Sequence, residues 1–191
     1  MEQLKVLALS GSLRRGSYNT AALEALMEIA PTNIQLVMGN IKDLPLFNPD
    51  LENSHIPALS ALKSNLAEAS GLIIASPEYA HGISGPMKNA LDWLVSGVEF
   101  PYMPIMLINT SPRASHALEA LKEVLVTMSG IIIDSACVSV PLLSSNLNKE
   151  GILANHEISN TLRRGLVEFA SQIRKQKLKK SEQPTVNVSV E

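Results

Sequence analysis

The residues Leu9-Ser10-Gly11-Ser12-Leu13-Arg14-Arg15-Gly16-Ser17-Tyr18-Asn19 put hydroxyls, glycines, arginines and an amide into one short loop. The chemistry open to such a set is anion binding. An apolar strand, Lys5–Leu9, leads into the loop, and a stretch of helical character follows it. At a strand-to-helix junction of this kind, unpaired N–H groups and the positive end of the helix dipole converge on one spot. The hydroxyls of Ser10, Ser12 and Ser17, the Asn19 amide and the Arg14 guanidinium are the right groups to complete a phosphate site. An ordinary polar turn capped by Ser or Asn would use the same residue types, so the loop alone leaves both readings open.

Missing residues narrow the phosphate. Gly11 and Gly16 have the spacing of the two glycines in a nucleoside-triphosphate loop, but Ser17 and Tyr18 stand where Lys and Ser/Thr belong. Triphosphate hydrolysis is therefore poorly supported. The dinucleotide signature G-x-G-x-x-G is absent as well, and a terminal monophosphate suits the loop better.

A second loop, Ser76-Pro77-Glu78-Tyr79-Ala80-His81-Gly82-Ile83-Ser84-Gly85-Pro86, carries different chemistry. Its prolines and glycines stiffen the backbone and allow close approach to a flat ligand. Tyr79 adds a rigid wall with a polar tip. Such a surface fits an aromatic ring system whose heteroatoms take backbone hydrogen bonds.

The elements that must position these loops alternate regularly. Strands are expected at Lys5–Leu9, Ile34–Met38, Leu72–Ala75, Ile105–Ile108 and Ile131–Val140, the last bent near Asp134-Ser135. Helices are expected at about Asn19–Ala30, Ala58–Ala69, Gly85–Ser96, Ser115–Met128 and Glu157–Gln176. Pro86 sits near the first turn of its helix, where a missing N–H costs little. Leu44–Leu51 reads as a loop. Strict alternation with short connections implies a parallel sheet covered on both faces. The expected fold is a doubly wound five-stranded α/β sheet in the flavodoxin-like order 2-1-3-4-5. Its ligands lie beyond the carboxyl ends of strands 1 and 3. Residues 1–180 are expected to form a single domain, with residues 181–191 as a mobile tail.

Composition limits the function classes. Hydrophobic residues make up 46% and charged residues 18%, as in a globular chain. A net charge of −2 argues against nucleic acid as a partner. The single cysteine, Cys137, excludes an internal disulfide and reads as a buried structural thiol. Met1-Glu2-Gln3 runs straight into a strand without a basic and apolar leader, and no apolar run is long enough for a bilayer. Cytoplasmic localisation is expected. No His/Cys/Asp/Glu spacing indicates a metal.

Pro77-Glu78-Tyr79-Ala80 followed by Gly85 and by Lys88-Asn89-Ala90-Leu91-Asp92-Trp93 resembles the P-E-Y-N/A-x-x-x-x-G-x-x-K-N-A-x-D-W signature of the NAD(P)H-dependent FMN reductase family. The first loop, G-S-L-R-x-G-S-x-N, is similar to that family's FMN phosphate loop. The likeness extends to Leu44-Pro45-Leu46-Phe47 and to Ser111-Pro112-Arg113.

The resemblance implies FMN as cofactor and NADPH or NADH as electron donor. It places Ser10, Ser12, Arg14, Ser17, Tyr18 and Asn19 at the FMN phosphate. Pro77, Glu78, Tyr79 and Ala80 would line the isoalloxazine, largely through backbone groups, with Thr110 and Ser111 approaching from the loop after strand 4. Ala80 stands where many relatives carry Asn. Lys88, Asn89, Asp92 and Trp93 are expected to serve packing or subunit contact.

The implied reaction is ping-pong hydride transfer through flavin N5 to a small acceptor such as a quinone, an azo compound or chromate. No side chain is expected as a dedicated catalyst; His81 is the candidate exception, either at the open face of the flavin or an exposed loop imidazole. A homodimer or homotetramer is implied. The rival readings are a flavodoxin-type electron carrier, which the weak net charge disfavours, and a flavin-based sensor without turnover.

Overall fold

The computed structural model describes residues 3–113 and 115–182. Strand β1 (Leu4–Ser10) is the centre of construction, because both of its faces are buried. It pairs in parallel with β2 (Ile34–Met38) from Leu4↔Ile34 and with β3 (Gly71–Ala75) up to Ser10↔Ala75. A two-residue hairpin, β4 (Glu78–Tyr79) and β5 (Gly82–Ile83), stands apart from the sheet. Beyond β3 lies β6 (Pro104–Asn109), and both β7 (Ile131–Ile132) and β8 (Val138–Ser139) pair in parallel with β6. The order β2-β1-β3-β6 followed by β7 and β8 is the expected 2-1-3-4-5, with its fifth strand in two pieces. The break is a 3-10 turn at Asp134–Ala136, where exposed Asp134 and Ser135 interrupt the apolar run.

Alternation along each strand sorts the side chains to two cores. Leu4, Val6 and Ala8 of β1 join Ile73 and Met106 beneath helices α1 (Tyr18–Glu28) and α6 (His156–Glu182). Leu7 and Leu9 join Leu72, Ile74, Ile105 and Leu107 beneath α2 (Pro57–Glu68), α3 (Gly85–Leu94) and α4 (His116–Thr127). Helical spacing supplies the covering faces, as in Leu59, Leu62 and Leu66 of α2 or Leu162, Leu166, Phe169 and Ile173 of α6.

Three features depart from the sequence expectations. The hairpin β4–β5 was expected as plain loop. A short helix α5 (Lys149–Ala154) precedes α6; Asn148 caps it by accepting from the Gly151 amide at 3.0 Å. Helix α6 runs on to Glu182, beyond the expected end at Gln176 and into the segment expected as tail. The rest of that tail, 183–191, lies outside the described residues. Among the described residues, no helix is long and apolar enough to cross a membrane.

Candidate functional site at the carboxyl edge of the sheet

Three loops leave the carboxyl ends of β1, β3 and β6, and hydrogen bonds tie them together. The Gly11 amide donates to the Ala75 carbonyl at 2.8 Å, and the buried Ser84 hydroxyl donates to the Gly11 carbonyl at 2.6 Å. Gly11 is required by this approach: a Cβ there would lie 2.2 Å from Ser76 Oγ. Further on, Gly16 takes the left-handed φ of 69° that turns the chain into α1. Ser17 caps that helix, its hydroxyl accepting from the Thr20 amide at 3.4 Å. Being first-turn residues, Tyr18 and Asn19 have amides without an intrahelical acceptor. The loop after β6 is tied in by Thr110, whose hydroxyl donates to the Asn19 side-chain carbonyl at 3.0 Å. Ser17, Asn19 and Thr110 are all buried. With its amide oxygen engaged, Asn19 has its NH2 to offer a ligand.

These loops enclose a cavity of about 310 Å3 lined by Ser12, Arg14, Ser17, Tyr18, Asn19, Pro77, Glu78, Tyr79, Thr110, Ser111 and Leu143. Of the residues expected at the site from sequence, all but Ser10, Ala80 and His81 line it. Ser10 lies behind, its hydroxyl hydrogen-bonded to Thr20 Oγ1 at 2.8 Å, so it braces the loop. Ala80 is at the exposed tip of the β4–β5 hairpin, with φ of 49°.

Glu78 has a side-chain role that the sequence did not announce. Its Oε2 accepts from the Ala117 amide at 2.9 Å, capping α4, where Ser115 makes no side-chain cap. Its Oε1 meets His81 Nδ1 at 3.1 Å. The Ala117 N–H is the main cause that holds the Glu78 carboxyl below the usual carboxylate range; partial burial opposes the shift, and His81 and His116 assist it.

Leu143 is the lining residue that sequence reasoning missed. It belongs to the segment after β8, where Ser144 and Asn146 have φ of 62° and 56°. The Asn146 amide donates to the Tyr18 hydroxyl at 3.2 Å, which fastens this segment to α1. The available signal was the turn-forming Ser-Ser-Asn run after Leu143.

Asn89 and Trp93 prove to be clamps rather than site residues. Asn89 accepts from the Phe47 amide at 2.8 Å and donates to the Pro45 carbonyl at 2.9 Å, which also takes the Trp93 indole N–H at 2.7 Å. Phe47 packs edge-on against Trp93, with centroids 5.1 Å apart. The loop containing Pro45 and Phe47 is thereby pinned to α3. Lys88 and Asp92 pair with each other one helical turn apart.

Fold and site together define a flavodoxin-like α/β protein whose first loop lines one cavity with the loops after β3 and β6. The family model described as NADPH-dependent FMN reductase matches residues 4–143, and the chain belongs to that family. It is 36% identical over 102 residues to an NAD(P)H-dependent FMN reductase of Pseudomonas aeruginosa, covering 53% of this chain and 55% of the relative. With a quinone reductase of Escherichia coli it shares 32% identity over 144 residues, 70% of this chain and 75% of that one. Several of the curated relatives are matched over only about half their length. Among solved structures, the flavoenzyme NAD(P)H:(acceptor) oxidoreductase FerB of Paracoccus denitrificans superposes with a TM-score of 0.80 at 24% identity, covering 90% of this chain and 98% of that one. That likeness shows the fold.

Proposed function

We propose that this protein is an FMN-dependent oxidoreductase that moves an electron pair from NADPH or NADH to a small acceptor, a quinone first of all. The observation that carries this reading is one cavity lined by three loops, with Ser12, Arg14, Ser17 and Asn19 from the first in the same lining as Pro77, Tyr79 and Leu143. Its volume of about 310 Å3 is within the range of small-molecule sites. The residue types fit FMN. Arg14 supplies the charge for a phosphate; Ser12, Ser17, the Asn19 NH2 and the first-turn amides of α1 supply donors. Pro77, Tyr79 and Leu143 supply walls for a planar ring system, and the loop at Thr110-Ser111 closes the side next to α1. Family membership and the names of the curated relatives support the same activity.

When bound, FMN supplies hydride acceptance from the nicotinamide and hydride delivery to the acceptor. The chain's own part is to hold, orient and shield. Arg14 and α1 fix one end of the ligand, and the tie from Ser84 to Gly11 keeps the wall after β3 at a set distance from that anchor. A ping-pong cycle follows from donor and acceptor using one open face in turn. Azo compounds and chromate are further acceptors in this reading, and the working form is a homodimer or homotetramer in the cytoplasm.

The test is anaerobic stopped-flow mixing of FMN-loaded protein with NADPH, then with NADH. Bleaching of the oxidised flavin band, reversed by added 1,4-benzoquinone, is the expected result. A bound flavin that neither nucleotide reduces would point to an electron carrier or sensor, and failure to retain flavin would remove the cofactor assignment. Light scattering of the same sample gives the oligomeric state.

A further inference from the structure

The β4–β5 hairpin turns through Ala80 and His81, which have φ of 49° and 60°. Two consecutive left-handed residues make the turn type that Asn-Gly adopts without strain. Here neither is Asn or Gly, and strain of this kind persists where the surroundings hold it in place. The hold is visible at His81. Its Nδ1 lies 3.1 Å from Glu78 Oε1, and its ring meets His116 edge-on, with centroids 4.6 Å apart at 77°. Glu78 is in turn fixed by the Ala117 amide of α4.

An ionised carboxylate only accepts hydrogen bonds, so the Nδ1 facing Glu78 must carry a proton. Exchange with a ligand or with solvent is left to Nε2. The His81 side chain is 76% exposed, so water can restore a proton lost from it. Glu78 and Tyr79, its neighbours on the hairpin, line the cavity. His81 itself stands just outside that ring of residues, at the exposed tip of the hairpin whose Glu78 and Tyr79 belong to it.

We propose that His81 is the proton donor to the acceptor, oriented by Glu78 and braced by His116. The proposal rests on the reductase reading above. In that reading a quinone receives a hydride, which brings two electrons and one hydrogen. The second hydrogen comes as the Nε2 proton of the His81 imidazolium: its N–H bond breaks and an O–H bond forms on the quinone oxygen. The hydroquinone leaves, and the neutral imidazole regains a proton from water. Glu78 is a positioning residue and keeps its charge throughout. The titratable groups facing His81 are Glu78 on its own hairpin and His116 at the start of α4; Glu119 is the acidic residue in the first turn of that helix.

The test uses the full chain loaded with FMN and compares wild type with His81→Asn. Asn tolerates the left-handed turn and so preserves the backbone. Flavin photoreduced anaerobically with EDTA as the electron donor is mixed with 1,4-benzoquinone, which needs a proton, or with ferricyanide, which takes single electrons and no proton. In the wild type, quinone reduction is expected to slow as pH rises through the loss of the imidazolium proton. His81→Asn is expected to be at least about tenfold slower with quinone at low pH, with that pH dependence lost. Its ferricyanide rate and its flavin retention by fluorescence are expected to be unchanged, and free imidazole in the buffer is expected to restore part of the quinone rate.

A second readout needs no activity: 15N NMR of the imidazoles is expected to show His81 as the Nδ1–H tautomer when neutral, shifted by Glu78→Gln. A variant with wild-type quinone rates and pH profile overturns the proposal, as does an equal loss with ferricyanide or an Nε2–H tautomer at His81. Wild-type protein that retains no flavin overturns the reductase reading instead.

Discussion

The hydroxyl of Ser84 donates to the carbonyl of Gly11 at 2.6 Å, joining the ends of two loops 73 residues apart in the chain. Ser84 also caps α3 through the Met87 amide at 3.4 Å, and it is fully buried. Ser84→Ala leaves a buried carbonyl without its donor, which is expected to cost about 1–3 kcal/mol in urea unfolding. It also frees the wall after β3 from the phosphate loop, so FMN affinity should fall with stability. Gly11→Ala is expected to act more strongly on FMN than Ser84→Ala, because its new Cβ would meet Ser76 Oγ at 2.2 Å and Ser76 Cβ at 2.8 Å. Fluorescence titration with FMN compares the two.

Arg14 gives the opposite signature. It is exposed, and its side chain lines the cavity without supporting the fold. Arg14→Ala is expected to weaken FMN binding by about tenfold to a hundredfold, the value of a charge-assisted hydrogen bond of about 1.5–3 kcal/mol. The melting temperature of the protein without flavin should stay unchanged. Normal FMN affinity in Arg14→Ala would count against the phosphate assignment.

The sheet order was legible because the inner strands are short apolar runs between turn signals. Leu72–Ala75 is apolar at every position, as a strand covered on both faces must be. Two of the three site loops announced themselves through Gly11, Gly16, Pro77 and Gly82. What stayed hidden depends on contacts distant in sequence. Nothing around Glu78 shows that its carboxylate caps a helix 39 residues later. Leu143 is an ordinary leucine until the Tyr18 hydroxyl draws its segment to α1. The hairpin was missed because its two turn residues, Ala80 and His81, are not those that favour a left-handed turn.

Glu78 predicts a pH dependence of stability. Its carboxyl is held down in the folded protein, chiefly by the Ala117 N–H. A depressed carboxyl stabilises the fold above its unfolded value, near 4.5, and that contribution is lost as pH falls through the folded value. Glu78→Gln keeps an acceptor for Ala117 but removes the charge. Wild type is therefore expected to melt above Glu78→Gln at pH 7, with the gap closing as pH drops below about 4.5. A gap that widens on acidification would reverse the sign and remove the charge from the account of this cap.

Ala80 carries strain that substitution can relieve. In the left-handed region an alanine costs about 1–2 kcal/mol. Glycine adopts that conformation freely but gives back about 0.5–1 kcal/mol in chain entropy. Ala80→Gly is therefore expected to stabilise the protein by up to about 1.5 kcal/mol, the difference of these two terms. Ala80→Val should do the reverse, since a β-branched residue resists positive φ most. Urea unfolding of the three proteins checks the ranking Gly above Ala above Val. The comparison also bears on His81, which the same turn presents at 60°. A looser turn in Ala80→Gly is expected to slow quinone reduction while stability rises, because the imidazole is then less firmly aimed. If stability and quinone rate rise together, the strain serves no purpose in presenting His81.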